Sequence, residues 1–472
     1  MNAALGLVEG PLHFLPAATA AQAIAARELS PVELIQAHLD RIARLDSRLN
    51  VFIRLDAEAA LDAARAAEAE AMAGRLRGPL HGVPVGIKDI IDVAGLATTC
   101  HSKILADNIA RSDAVCVGKL RQAGAIVIGK LSTHEFAIGG PSFDLPWPPA
   151  RNPWNPEHHP GGSSSGSGSG VAAGLFPVAL GSDTGGSVRN PASCCGIVGL
   201  KPTYGLVSRR GVFPLSFTLD HVGPMTRTVG DNALLLEAIA GHDSRDPGSA
   251  VAPNGHYAAA MDRGVRGLRV GFVRHFHETD LPAEPEVTAA LEHVARTLQM
   301  MGADIRDVRL PSLGEFSAVN RIILQSEAWS VHARWLRERP GDYGRLARRR
   351  LLAGAFLSAG DYVAASRRRG EMIAAVNATL AEVDVLLCAS SMDPPCRIDR
   401  PADIDRTYTR QARTPFNVTG HPALAMMSGL ASTGLPLSVQ FVGRYFDEAM
   451  LFRIARAWEK ASGMDKKHPP IG

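Results

Sequence analysis

Residues 160–170 read Pro160-Gly161-Gly162-Ser163-Ser164-Ser165-Gly166-Ser167-Gly168-Ser169-Gly170 and run straight into Val171-Ala172-Ala173-Gly174-Leu175-Phe176. A short apolar run, Pro177 to Leu180, leads on to Gly181-Ser182-Asp183-Thr184-Gly185-Gly186-Ser187-Val188-Arg189. The composition of 160–170 suits a flexible linker. A linker rarely continues directly into a helix-like apolar run and a strand, however, and small residues at such a junction point to close backbone approach. A phosphate cradle would end in Gly-Lys-Ser/Thr, which is absent. Gly162-Ser163-Ser164-Ser165-Gly166 formally matches the G-x-S-x-G elbow with Ser164 central, and His221, His242 and His256 lie downstream. The loop 181–189 has consecutive glycines before a serine. Its unobstructed backbone N–H groups can converge on one point, as an oxyanion requires, or simply form a tight turn.

Outward from this block, strand and helix patterns alternate. Ser30-Pro31-Val32-Glu33 predicts a capped helix start, with Pro at the first helical position and Glu closing a capping box. Leu34, Ile35, Leu39, Ile42 and Leu45 follow at helical spacing to about Asp46, and Ala57 to Gly74 reads as a second helix. Val83 to Lys88 and Ala125 to Ile128 read as buried strands around a helical stretch, Ser112 to Gly124. Gly267 to Val273, Val383 to Cys388 and Leu437 to Val442 add strands; 315–382 is mainly helical; Phe446 to Lys460 is a terminal helix. The pattern predicts an α/β fold built as one domain over 1–472, with a helical insertion or cap at about 300–420. Lys88 stands out because it ends an apolar run. Lysine is almost never fully buried unless paired, so Lys88 either reaches solvent or is a desolvated lysine usable as a base.

Composition narrows the function. The chain has 472 residues, a formal net charge of +3, 46% apolar residues and 6% aromatics. That excludes wholesale disorder and gives no concentrated basic face or stacking platform for nucleic acid. No run reaches the ~18 apolar residues of a membrane span, and Met1 to Glu9 lacks the basic start of a secretory signal; a cytoplasmic location is expected. The six cysteines, Cys100, Cys116, Cys194, Cys195, Cys388 and Cys396, show no C-x-x-C spacing, so neither a zinc site nor a redox dithiol is predicted. The arginines at 345–350 and 367–369 read as solvated helix faces.

Three segments taken together resemble the amidase signature family: His81 to Asp89, the Gly-Gly-Ser-Ser run 161–164, and Asp183 to Arg189. Cys195 to Gly205, Asp220-His221-Val222-Gly223-Pro224-Met225, Gly434-Leu435-Pro436 and Phe446-Asp447-Glu448 extend the similarity over nearly the whole chain. The resemblance implies a large twisted mixed β-sheet with helices on both faces and a Ser–cis-Ser–Lys triad. Ser187 would be the nucleophile, Ser163 the bridging serine and Lys88 the base, with the Gly162–Ser163 peptide cis. Backbone N–H groups of Thr184, Gly185, Gly186 and Ser187 would form the oxyanion hole, while Asp183 and Arg189 would hold the loop. The family's run is often Gly-Gly-Ser-Ser-Gly-Gly-Ser, and Ser165 departs from it.

The activity so implied is hydrolysis of an amide C–N bond through an acyl-serine, with no cofactor, on a small-molecule amide, carbamate or urea, by a homodimer without nucleic acid or membrane partners. The alternatives are the A subunit of a glutamine-dependent tRNA amidotransferase and a non-catalytic amidase-like subunit. The loop 134–150, the region 300–420 and the aromatics Phe143, Trp147, Trp154, Trp329 and Trp335 are expected to shape the pocket.

Overall fold

The computed structural model describes residues 10–252 and 255–471; the reading of Met1 to Glu9 falls outside them. Eleven strands form one mixed sheet. In chain order they are β1 (Phe52–Leu55), β2 (Pro84–Lys88), β3 (Ile126–Leu131), β4 (Val178–Asp183), β5 (Val198–Lys201), β6 (His221–Thr226), β7 (Arg269–Phe272), β8 (Asp304–Asp307), β9 (Val385–Ala389), β10 (Ala423–Leu430) and β11 (Pro436–Val442). Across the sheet they lie β1-β3-β2-β4-β6-β5-β10-β11-β9-β7-β8. β2 runs parallel to both β3 and β4, whereas β6 runs antiparallel to β4 and β5.

The side-chain alternation of a strand divides the core into two layers. In β4, Val178 and Leu180 join one apolar cluster and Ala179 the other; in β3, Val127 and Ile128 separate in the same way. Helix Pro31–Leu49 packs Ile35, Leu39, Ile42 and Leu45 on one side, and helix Val229–Ile239 packs Leu235, Leu236 and Ile239 on the other. Both faces of the sheet are therefore covered, the arrangement expected when the strands themselves are apolar throughout.

The helix start at Ser30 forms with one change. Ser30 Oγ accepts from the N–H groups of Val32 and Glu33, but its own proton goes to Glu68 Oε1 at 2.5 Å rather than the cap closing as a box. The Gly/Ser stretch holds a helix where its composition suggests only a turn. Ser165–Ala172 is α-helical and buried throughout. Its serines find backbone acceptors, Ser167 Oγ at Leu180 O (2.9 Å) and Ser169 Oγ at Arg151 O (2.7 Å). Its glycines mark close approaches: a Cβ on Gly166 would lie 2.7 Å from Ser132 N, and one on Gly170 would lie 2.2 Å from the Phe176 ring. Three helices, Leu313–Glu338, Arg345–Leu352 and Ala359–Glu382, lie between β8 and β9.

Candidate active site

The site lies where β2 and β4, parallel neighbours, both end. β2 carries Lys88 at its last position. β4 carries Ser182 and Asp183 at its end, and the turn after it presents Thr184 to Ser187. Lys88 is fully buried, with Nζ 2.7 Å from Ser163 Oγ and 2.8 Å from Ser182 Oγ. Burial strips the ammonium of water and brings its pKa down from 10.5 to about 7, against the pull of Asp183 and Asp220. The neighbouring buried lysine, Lys130 on β3, takes the adjacent carboxylate instead, 2.8 Å from Asp89.

Ser163 follows a cis Gly162–Ser163 peptide. Its carbonyl accepts from His134 N at 3.0 Å, and Ser164 N donates to Ser187 O at 3.2 Å, which ties the serine run to the nucleophile loop. The His134 ring lies against Gly162 so closely that a Cβ there would fall 2.0 Å from its Cε1. Burial holds His134 well below the usual imidazole range, and likewise brings His159, 5.7 Å away ring to ring, to about 4.

Asp183 and Arg189 are both fully buried and form a forked pair, Nη2–Oδ1 at 2.9 Å and Nε–Oδ2 at 3.0 Å. Burial alone would raise the Asp183 pKa, but Arg189 and the Asn417 amide hold the carboxyl well below the usual carboxylate range. Arg189 also reaches Gln440 Oε1 (2.7 Å) and Asn417 Oδ1 (2.6 Å), which fastens the loop to β11 and to helix Thr414–Thr419. Asp183 accepts from the N–H groups of Gly186 (2.7 Å) and Val188 (3.1 Å). This corrects one assignment: the Gly186 N–H is already bonded to Asp183 and is not a free oxyanion donor. Among the described residues the N–H groups of Thr184, Gly185 and Ser187 make no hydrogen bond to the protein, and neither does the Ser187 hydroxyl.

Ser164 is placed differently from a nucleophile. It is fully buried, its Oγ donating to Ser182 O and accepting from Ser182 N, each at 3.2 Å. That arrangement leaves the G-x-S-x-G elbow without an exposed serine.

Sequence reasoning missed several residues around the site. Ser182 is a second partner of Lys88. Asp220 accepts from Thr184 Oγ1 at 2.6 Å, and burial pushes its carboxyl up to about 6. A cavity of about 460 Å³ opens beside Ser182 and Thr184, lined on its apolar side by Ile90, Val212, Phe213, Leu215 and Phe217. None of the five aromatics expected to shape the pocket lines it. Phe143 is exposed, Trp154 donates to Cys195 O, Trp335 stacks behind Phe213, and Trp329 lies under Arg337; only the Trp147 carbonyl, accepting from His101, comes near the loop at 134–150. Elsewhere, His277, Glu278 and Glu292 come close enough to share an ion, but Arg274 pairs with Glu292 there.

A mixed sheet wrapped by helices on both faces, with a lysine and two small-residue turns converging at the strand ends, defines the class of protein. The Amidase family model matches residues 33–452. The A chain of the glutamyl-tRNA(Gln) amidotransferase of Lysinibacillus sphaericus (strain C3-41) is 40% identical over 95% of this chain and 96% of its own. The peptide amidase of Stenotrophomonas maltophilia superposes with a TM-score of 0.85 at 32% identity, covering 97% of this chain and 98% of that one. A chain from a vestigial protein complex, tied to the evolutionary origins of an s-triazine catabolic enzyme, gives 0.88 at 31% identity over 94% and 97%. The chain belongs to the amidase family, and within it to the amidase signature enzymes.

Proposed function

We propose that the chain cleaves a carboxamide C–N bond through an acyl intermediate on Ser187. The observation that carries this is the buried Lys88, neutral near pH 7 and 2.7 Å from Ser163 Oγ, beside a turn whose N–H groups are free. A serine hydroxyl needs a base to attack at neutral pH. Neutral Lys88 accepts the Ser163 proton as Ser163 accepts that of Ser187. Ser187 Oγ bonds to the carbonyl carbon, and the N–H groups of Thr184, Gly185 and Ser187 meet the developing oxyanion. The proton returns through Ser163 to the leaving nitrogen as the C–N bond breaks, and water takes the same route to free the acid. Asp183 and Arg189 hold the turn in shape throughout.

The relatives support the transamidase reading more strongly than a free-standing amidase, with glutamine as amide donor and partner subunits rather than the homodimer expected from sequence. The cavity supports the second reading, a compact and largely apolar amide. Among the described residues it offers no unpaired carboxylate for an α-ammonium group: Asp220 already accepts from Thr184, Leu215 and Ser216, and Asp246 from Arg209. One experiment separates the two. The purified chain is assayed on anilides, primary amides, carbamates and ureas and on glutamine, with Ser187→Ala as control. Turnover of simple amides by the lone chain supports the second reading; glutamine hydrolysis appearing only with added partner subunits supports the first. Labelling of Ser187→Ala by a sulfonyl fluoride at the wild-type stoichiometry would sink the Ser187 assignment itself.

A further inference from the structure

The wall of the cavity from Pro214 to Asp220 is a strap with no regular structure, and its shape is imposed from outside. Glu327, in the middle of helix Leu313–Glu338, is buried and points its carboxylate at the strap. Oε2 accepts from Ser216 Oγ (2.5 Å) and Thr218 N (3.0 Å), and Oε1 from Thr218 Oγ1 (2.8 Å) and Tyr362 Oη (2.8 Å). At the strap's end, Asp220 accepts from the N–H groups of Leu215 and Ser216 with Oδ2 and from Thr184 Oγ1 with Oδ1. Earlier on the same helix, Asn320 Nδ2 donates to Thr184 O at 3.3 Å. An unbroken set of hydrogen bonds thus runs from the helical segment between β8 and β9 to the first residue of the turn that precedes Ser187.

We propose that Glu327 is a positioning residue: through Ser216 and Thr218 it fixes the strap, and through Asp220 it sets Thr184 and the N–H donors that follow it. This rests on the reading of Ser187 as nucleophile. Glu327 meets no reacting atom. It carries four hydrogen bonds from two separate elements, Tyr362 on helix Ala359–Glu382 being the second, so the helical segment and the active-site turn move as one piece. A carboxylate suits this role because it accepts four bonds without needing to donate any, and bonds to an ionised acceptor are the stronger kind.

The test is the rate at which phenylmethylsulfonyl fluoride modifies Ser187, followed by intact mass and peptide mapping, because it needs no knowledge of the substrate. Glu327→Ala and Thr184→Val are each expected to slow modification at least ~10-fold, and the double variant to be no slower than the slower single one. Residues that act along one path show such non-additivity. Modification of Glu327→Ala at the wild-type rate, or losses that multiply in the double variant, would overturn the proposal. Should Glu327→Ala fail to fold, Glu327→Gln and the pair Ser216→Ala/Thr218→Val carry the same comparison against Thr184→Val. If wild-type protein is modified at a residue other than Ser187, it is the nucleophile assignment that fails, not the strap.

Discussion

Lys88 and Lys130 sit on adjacent strands, both fully buried, yet only Lys130 has an acid in contact. Asp89 follows Lys88 in sequence, but strand alternation turns its carboxylate away toward Lys130 on β3, so Lys88 keeps two hydroxyls and no carboxylate. Its proton is therefore held weakly in the folded chain, at a pKa of about 7 against an unfolded value of ~10.4. Two outcomes follow with fixed sign. Activity should rise about tenfold per pH unit below 7 and level off above it, read as kcat/KM against pH; a profile flat from pH 5 to 9 would remove Lys88 as the base. Between the folded and unfolded pKa values the unfolded chain binds more protons, so stability rises with pH there. The lysine costs most at and below pH 7, and that cost fades as pH climbs toward 10. Lys88→Met should abolish turnover, and its Tm relative to wild type should be highest at and below pH 7 and fall as pH approaches 10. Parallel Tm curves for the two proteins would show that the lysine is charged in the fold.

At the scale of elements, the decisive unit is the pairing of helix Ser165–Ala172 with the cis turn before it, closed over by His134. That turn tolerates no side chain at Gly162, where a Cβ would fall inside the imidazole. Gly162→Ala should cost roughly 1–3 kcal/mol or more by overpacking and inactivate the protein. His134→Ala in the same chain should return part of the stability, since it removes the ring that is struck; urea unfolding of the three variants checks this, and a double variant no more stable than Gly162→Ala would put the strain elsewhere. The outline of this site is legible in the sequence because its parts are local. Lys88 is conspicuous as the one charge ending an apolar run, and the two glycine turns as clusters. What stays hidden is non-local. Helix Ser165–Ala172 is built of weak helix formers, and its stability comes from acceptors on β4 and in the loop at Arg151. β6 contains Gly223 and Pro224, which read against a strand, although it pairs with β4 and β5 in the middle of the sheet. Glu327 is one acid among several on a long helix, and its partners lie more than a hundred residues earlier, where no spacing rule reaches. The cavity wall at 212–217 carries no periodicity at all, whereas tryptophans draw the eye and pack elsewhere.

On the scale of the whole molecule, a chain similar to part of a tRNA amidotransferase must be reconciled with its charge. Its formal net charge is only +3, and the arginine clusters that look basic in sequence are largely neutralised in the fold. Arg349 and Arg350 share Asp405, Arg368 lies between Glu315 and Glu371, and Arg369 is turned inward to the carbonyls of Val418 and Thr218. Affinity for nucleic acid at physiological salt comes from several cations neutralising phosphates together, and paired arginines release fewer counterions when they bind. The lone chain should therefore bind tRNA no more tightly than the nonspecific range of roughly 10⁻⁴ to 10⁻⁶ M at about 150 mM salt, measured by filter binding or fluorescence anisotropy. Under the transamidase reading a partner must supply the tRNA surface, and this chain supplies only the chemistry at Ser187. Nanomolar binding by the lone chain would mean that the paired clusters open on contact, and would locate tRNA recognition on the helical segment between β8 and β9, the same segment whose Glu327 reaches the active-site strap.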